Sequence, residues 1–183
     1  MRHDRQRRPR PPLSSEKLHE LALAYVGRFA TTRAKLRTYL SRKVRERGWD
    51  DGPAPDFEAI AQRFAAQGYV DDAAFALSKS RSLTGRGYGM RRVDQSLRTA
   101  GVEEQDAGPA REHAKADRVE AALHFAERRR LGPFASEIPD RKGRERALAT
   151  MIRAGHGFGL ARAIVDLRPG ADINLVELAE NSG

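Results

Sequence analysis

Five histidines, one glycine-rich turn, the aspartate pair Asp71-Asp72 and a surplus of arginine are the residues of this chain whose types and spacing invite a chemical reading. His3, His19, His113, His124 and His156 show no HExxH or comparable ligand spacing, and the chain has no cysteine, so neither a metal site nor a disulfide is expected. The turn Gly85-Arg86-Gly87-Tyr88-Gly89 invites comparison with a phosphate loop, but the Gly-Lys-Ser/Thr that completes one is missing and no predicted strand precedes it. Its glycines read as turn residues with positive φ. Arg86, Arg91 and Arg92 nevertheless make an electropositive corner near a helix N-terminus, where an anion can bind. Asp71 and Asp72 are adjacent and do not face one another on a helix, so Asp71 is read as an N-cap and not as half of a carboxylate pair. No Ser-His-Asp or lysine-based nucleophile stands out. The expectation is a chain with no catalytic residue, cofactor or metal.

Arginine outnumbers lysine 28 to 6, and the net charge is +9. The charge comes in blocks: residues 33–47 sum to +6, 48–75 to −5, 76–102 to +5 and 103–120 to −3. Alternating blocks of this kind suit contact with a polyanion by one set of helices. Tyr25, Phe29, Tyr39, Trp49, Tyr69 and Tyr88 are interleaved with the basic residues, a mixture that can stack on nucleic-acid bases. Most of these aromatics fall on apolar helix stripes and are read as core; Trp49 and Tyr88, in loops, are left open.

The elements that must position these groups are helices. No stretch alternates strictly and β-branched residues are few, whereas alanine is abundant. The sequence MRHDRQRRPRPP at the start reads as a disordered basic arm. A first helix is predicted after Ser14 as N-cap, with Leu13 and Leu18 as a hydrophobic staple. Thr31 and Thr32 recap the chain into a basic second helix that stops at Gly48, and Asp56 caps a third that stops at Gly68. A fourth helix runs to about Leu83 and a fifth carries Met90, Val93 and Leu97. Residues 103–110 contain Gly108–Pro109 and are read as a loop, followed by one helix near 111–131. A basic helix from about Asp140, a closing helix around Leu160, Ile164 and Val165, and a short turn at Ile173, Val176 and Leu178 complete the chain. No run is apolar enough to span a membrane, and a cytoplasmic monomer is expected.

A basic helix ending in Ala-Gly or Arg-Gly recurs, as LRTYLSRKVRERGW at 36–49, VDQSLRTAGV at 93–102 and ALATMIRAGH at 147–156. That repeat predicts an all-α protein of tandem three-helix repeats forming an elongated, curved molecule. The expected divisions are an arm at 1–13, repeats at 14–70, 71–117 and 118–169, and a tail at 170–183.

The runs LALAYVGRFATTRAKLRTYL, GYVDDAAFA at 68–76, GRGYGMRRVDQSLRTAGV at 85–102 and RAGHGFGLARAIVDL at 153–167 resemble the RecX family, bacterial regulators of the recombinase RecA. The likeness covers about 16–167. It implies tandem three-helix repeats and a non-enzymatic role: binding in the groove of a RecA–DNA filament and damping its growth, ATP hydrolysis, strand exchange and co-protease activity. His156 stands where a more apolar residue is expected, and the arm lies outside the shared core. The expected contacts to RecA or to single- or double-stranded DNA are Arg33, Lys35, Arg37, Arg42 and Lys43; Arg86, Arg91, Arg92 and Arg98; and Arg141, Lys142, Arg144 and Arg146. Two other readings compete: an architectural or helix-turn-helix DNA-binding protein acting without RecA, and a magnesium-dependent nucleic-acid enzyme.

Overall fold

The computed structural model describes residues 11–180, so the first ten positions of the expected arm and the last three of the expected tail lie outside the described residues. Among the described residues there are ten α-helices, one 3-10 turn and no strand. The chain divides into two compact units, one ending at Asp71 and the other beginning at Asp72.

In the first unit the helices are α1 (Ser15–Val26), α2 (Arg33–Arg47) and α3 (Phe57–Ala66). Each starts where a short polar side chain can serve an orphan amide: Ser14, Thr32 and Asp56 accept from the N–H groups of Lys17, Lys35 and Ala59. Leu13, Leu18, Ala22, Leu36, Leu40, Ala61, Phe64 and Val70 form the core. Leu13, the last position of the expected arm, is fully buried; its N–H donates to the Gly48 carbonyl at 3.0 Å, and its carbonyl accepts from Asp50 at 3.3 Å. The Asp51 carboxylate accepts from the Ser15 N–H at 2.8 Å, which fixes the α2–α3 loop to the start of α1; the Ser15 side chain, and then this N–H, hold its pKa below the usual range.

The second unit holds α4 (Asp72–Thr84), α5 (Met90–Thr99), α6 (Glu104–Ala116), α7 (Arg118–Arg129), the 3-10 turn Gly132–Phe134, α8 (Arg141–Arg153), α9 (Phe158–Asp166) and α10 (Leu175–Glu180). One core gathers Ala76, Leu83, Val93, Leu97, Ala107, Ala110 and Ala114 from α4 to α6. Another gathers Ala122, Phe125, Ala126, Met151, Leu160, Ala161, Ile164, Val165 and Leu178 from α7 to α10.

The expected loop at 103–110 is corrected: from Glu104 on it is helix, with Glu103 as the N-cap, and the expected single helix near 111–131 is two helices meeting at Asp117. Gly108–Pro109 is a poor local helix signal, and Pro109 removes one amide donor from the second turn of α6. Tertiary contacts override that loss. Ala107, Ala110 and Ala114 bury an alanine face, and the buried Ser80 hydroxyl donates to the Ala110 carbonyl at 2.8 Å. Arg111 straps the first turn, its guanidinium bonding both Glu104 oxygens and, at 2.8 Å, Asp94 of α5. The chain then turns at Asp117, whose carboxylate accepts from the Thr84 hydroxyl at 3.0 Å.

Candidate polyanion interface

The glycine-rich connection between α4 and α5 is clamped by backbone contacts. Gly87 alone of its three glycines has positive φ (80°), as a tight turn requires. Gly89 has an ordinary φ of −82° and caps α5. Its requirement is space: a Cβ there would lie 2.4 Å from the carbonyl carbon and oxygen of Gly155, at the end of α8. The expectation that these are all positive-φ glycines therefore fails at Gly85 and at Gly89, and at Gly89 close approach is the reason.

The Gly89 amide donates to the Ala154 carbonyl at 3.0 Å and the Arg91 amide to the Gly155 carbonyl at 3.1 Å. The C-terminal turn of α8 thus occupies amides that would otherwise have faced an anion, and anion contact at this corner falls to side chains. Beneath the turn His156 is 2% exposed, its Nε2 lies 3.1 Å from the Gly87 carbonyl, and its ring packs on Phe125 at 5.5 Å. A carbonyl only accepts, so Nε2 carries the proton. Burial, opposed in part by that hydrogen bond, lowers the His156 pKa to about 4, so the ring is neutral at pH 7. The position expected to be apolar holds an uncharged, packed imidazole.

Around this clamp the cations face outward. Arg86 and Arg92 flank the ring of Tyr88, at 5.3 and 5.9 Å from its centroid. Arg91 and Arg98 are exposed on α5. Arg128 on α7 joins them by donating to the Arg86 carbonyl at 2.7 Å, and Arg129 lies 5.7 Å from the Phe125 ring. Neither Arg128 nor Arg129 was among the expected contacts; the Arg128-Arg129-Arg130 run at the end of α7 is the signal that marked them. Tyr88, left open from sequence, is the half-buried platform that orients two of the arginines.

The other expected contacts are distributed differently. Arg33 and Lys35 are half-buried in the first turn of α2. Arg37 is paired with Glu58 on α3, and Arg42 and Lys43 share Glu46 at 3.8 and 2.8 Å. On α8, Arg141 pairs with Glu145 at 3.1 Å, Arg146 donates to the Lys142 carbonyl at 3.2 Å, and Arg144 is exposed. These four sit at the opposite end of α8 from Gly155, roughly 15–20 Å along its axis at ~1.5 Å per residue, so they are not part of the Tyr88 cluster.

One catalytic-looking arrangement is present. His113 lies 3.4 Å from the Ser80 hydroxyl and 3.5 Å from the Asp117 carboxylate. Ser80 is fully buried and its hydroxyl donates to the Ala110 carbonyl, so no substrate can reach it, and the trio ties α4 to α6. Among the described residues no group of three or more His, Asp or Glu side chains is placed to hold a metal ion, and no helix is long and apolar enough to cross a membrane.

No family model matches the chain. Individual relatives do. The Regulatory protein RecX of Myxococcus xanthus is 33% identical over 171 residues, covering 89% of this chain and 91% of that protein. The Regulatory protein RecX of Thermobifida fusca is 32% identical over 151 residues, 82% of this chain and 80% of that protein, and that of Agrobacterium fabrum is 30% identical over 138 residues, 73% of each. With identity at this level sustained across most of both partners, on an all-helical chain, the protein belongs to the RecX family.

Proposed function

We propose that this chain is a non-enzymatic regulator of RecA that binds the RecA–DNA filament and inhibits its ATPase, strand-exchange and co-protease activities. The observation that carries the reading is the likeness to proteins named Regulatory protein RecX over most of their length. The three groups α1–α3, α4–α6 and α7–α9 are proposed as repeats of one module. Arg86, Arg91 and Arg92, joined by Arg128, are proposed as the main polyanion contacts, because they are exposed and gathered on one clamped junction, with the exposed Arg98 in the last turn of α5 extending the set. The more compensated cations of α2 and the separate set on α8 are proposed as secondary contacts.

The test is RecA's DNA-dependent ATP hydrolysis at saturating DNA and ATP and physiological salt, titrated with the full chain. The expected result is inhibition at strongly substoichiometric amounts. Inhibition only once the protein coats the DNA would replace this reading with the plain DNA-binding one, whose affinity for naked DNA would fall steeply with salt, log K dropping by roughly 0.7–0.9 per phosphate contacted for each decade of salt.

A further inference from the structure

The first unit carries a row of three aromatic rings in contact, one pair stacked and one tilted, that ends in an exposed phenylalanine. Tyr25 on α1 and Tyr39 on α2 lie face to face, with centroids 4.2 Å apart and planes 11° from parallel. Phe29, in the turn after α1, rests on Tyr25 at 5.5 Å and is 57% exposed. A single exposed phenylalanine is ordinary. This one leans at 49° on a stacked pair whose two members are held by different helices, so its ring is propped on one side while much of it stays exposed. Cations surround the stack. Arg28 is exposed next to Phe29 in sequence, and Arg42 and Lys43 each lie 5.8 Å from the centroid of Tyr39. The helix that carries Tyr39 has seven cations against one carboxylate, Glu46.

A propped aromatic surface among cations is what an unpaired base on a phosphodiester backbone recognises: the base stacks, and the phosphates meet the cations. A duplex keeps its bases stacked on each other and offers the phosphates alone. We infer that the Phe29–Tyr25–Tyr39 ladder, with Arg28, Arg42 and Lys43, is a binding site for single-stranded nucleic acid. The site goes beyond the RecA reading and does not depend on it.

The experiment is fluorescence anisotropy of a labelled oligothymidylate and of a duplex of the same length, with the full chain and no RecA. Phe29→Ala is expected to weaken single-strand binding roughly tenfold while leaving duplex binding unchanged. Leu23→Ala, which removes another exposed apolar side chain of α1, is expected to change neither. Phe29→Trp is expected to retain binding and to add a fluorescence that the oligonucleotide quenches. Thermal unfolding of each variant reports folding. Equal loss for strand and duplex, or no loss for either, overturns the proposal in favour of contact by charge alone. An effect of Phe29→Ala that appears only once a RecA filament is present overturns it in favour of a protein contact. Failure of the RecA reading in the ATPase assay would leave the strand-binding result standing.

Discussion

Gly89 and Gly155 meet backbone to backbone: the Gly89 amide donates to the Ala154 carbonyl and the Arg91 amide to the Gly155 carbonyl, joining the start of α5 to the end of α8 with no room for a Cβ at either glycine. At Gly155 the restriction is double, since φ is +99° and an added Cβ would lie 2.6 Å from the Arg92 nitrogen. Gly155→Ala is therefore expected to destabilise the protein by about 3 kcal/mol, from forced backbone separation and left-handed strain together. Gly52→Ala, at a φ of +74° with open space around it, keeps only the strain and is expected to cost about 1 kcal/mol. Urea unfolding of the two variants beside the parent protein measures both; equal losses would mean that the α5–α8 contact contributes nothing.

Gly108 is the opposite case. It lies inside α6, where glycine is a weak helix former, and a Cβ there meets nothing within 4 Å. Gly108→Ala is expected to stabilise by ~0.5–1 kcal/mol, seen as a raised unfolding midpoint. A lowered midpoint would mean that the turn around Pro109 needs the flexibility of glycine.

Those two glycines also mark what the sequence could reveal. Ser14, Thr32 and Asp56 were legible as caps because a cap is decided by a residue and the amide three positions on. The apolar stripes of α5 and α9 were legible for the same local reason, through helical periodicity. Residues 103–110 were not, because what holds α6 together comes from elsewhere: Ser80 on α4 and Asp94 on α5. Gly89 looked like a turn glycine because its partner, Gly155, is far away in sequence. The expected arginines of α5 proved exposed, yet Arg128 became a neighbour only when the end of α7 met the carbonyl of Arg86.

The neutral state of His156 ties stability to pH. Its pKa is lowered to about 4 in the folded protein, against an ordinary value near 6.5. Between those values the unfolded chain binds a proton that the folded chain excludes, so stability is present above pH ~6.5 and falls as pH drops towards 4. At ~1.4 kcal/mol per pH unit the loss is about 3 kcal/mol across that window. His156→Gln, which can still donate to the Gly87 carbonyl but does not titrate, is expected to flatten this part of the profile. Urea midpoints measured for both proteins from pH 7 to pH 4 give the difference curve. Parallel curves would show that the imidazole titrates alike in both states.

Arginines of one helix neighbourhood are expected to separate into two kinds. Arg111 is drawn into the fold, with hydrogen bonds to Glu104 and then to Asp94 raising its already high pKa. Its replacement by methionine keeps the aliphatic stem, frees both carboxylates and is expected to destabilise by about 1–2 kcal/mol. Arg86, Arg91, Arg92 and Arg98 are exposed, and none pairs with a carboxylate among the described residues. Changing these four to glutamate is expected to leave the unfolding midpoint nearly unchanged while removing at least about tenfold of the apparent affinity for a RecA–DNA filament, a ~1.4 kcal/mol effect divided among four sites. The same four changes should also reduce the salt dependence of that binding, since each lost phosphate contact removes roughly 0.7–0.9 from the slope of log K against log salt. Inhibition of RecA ATP hydrolysis that survives the four changes in a folded protein would move the interface away from Tyr88, to the cations of α2 or α8.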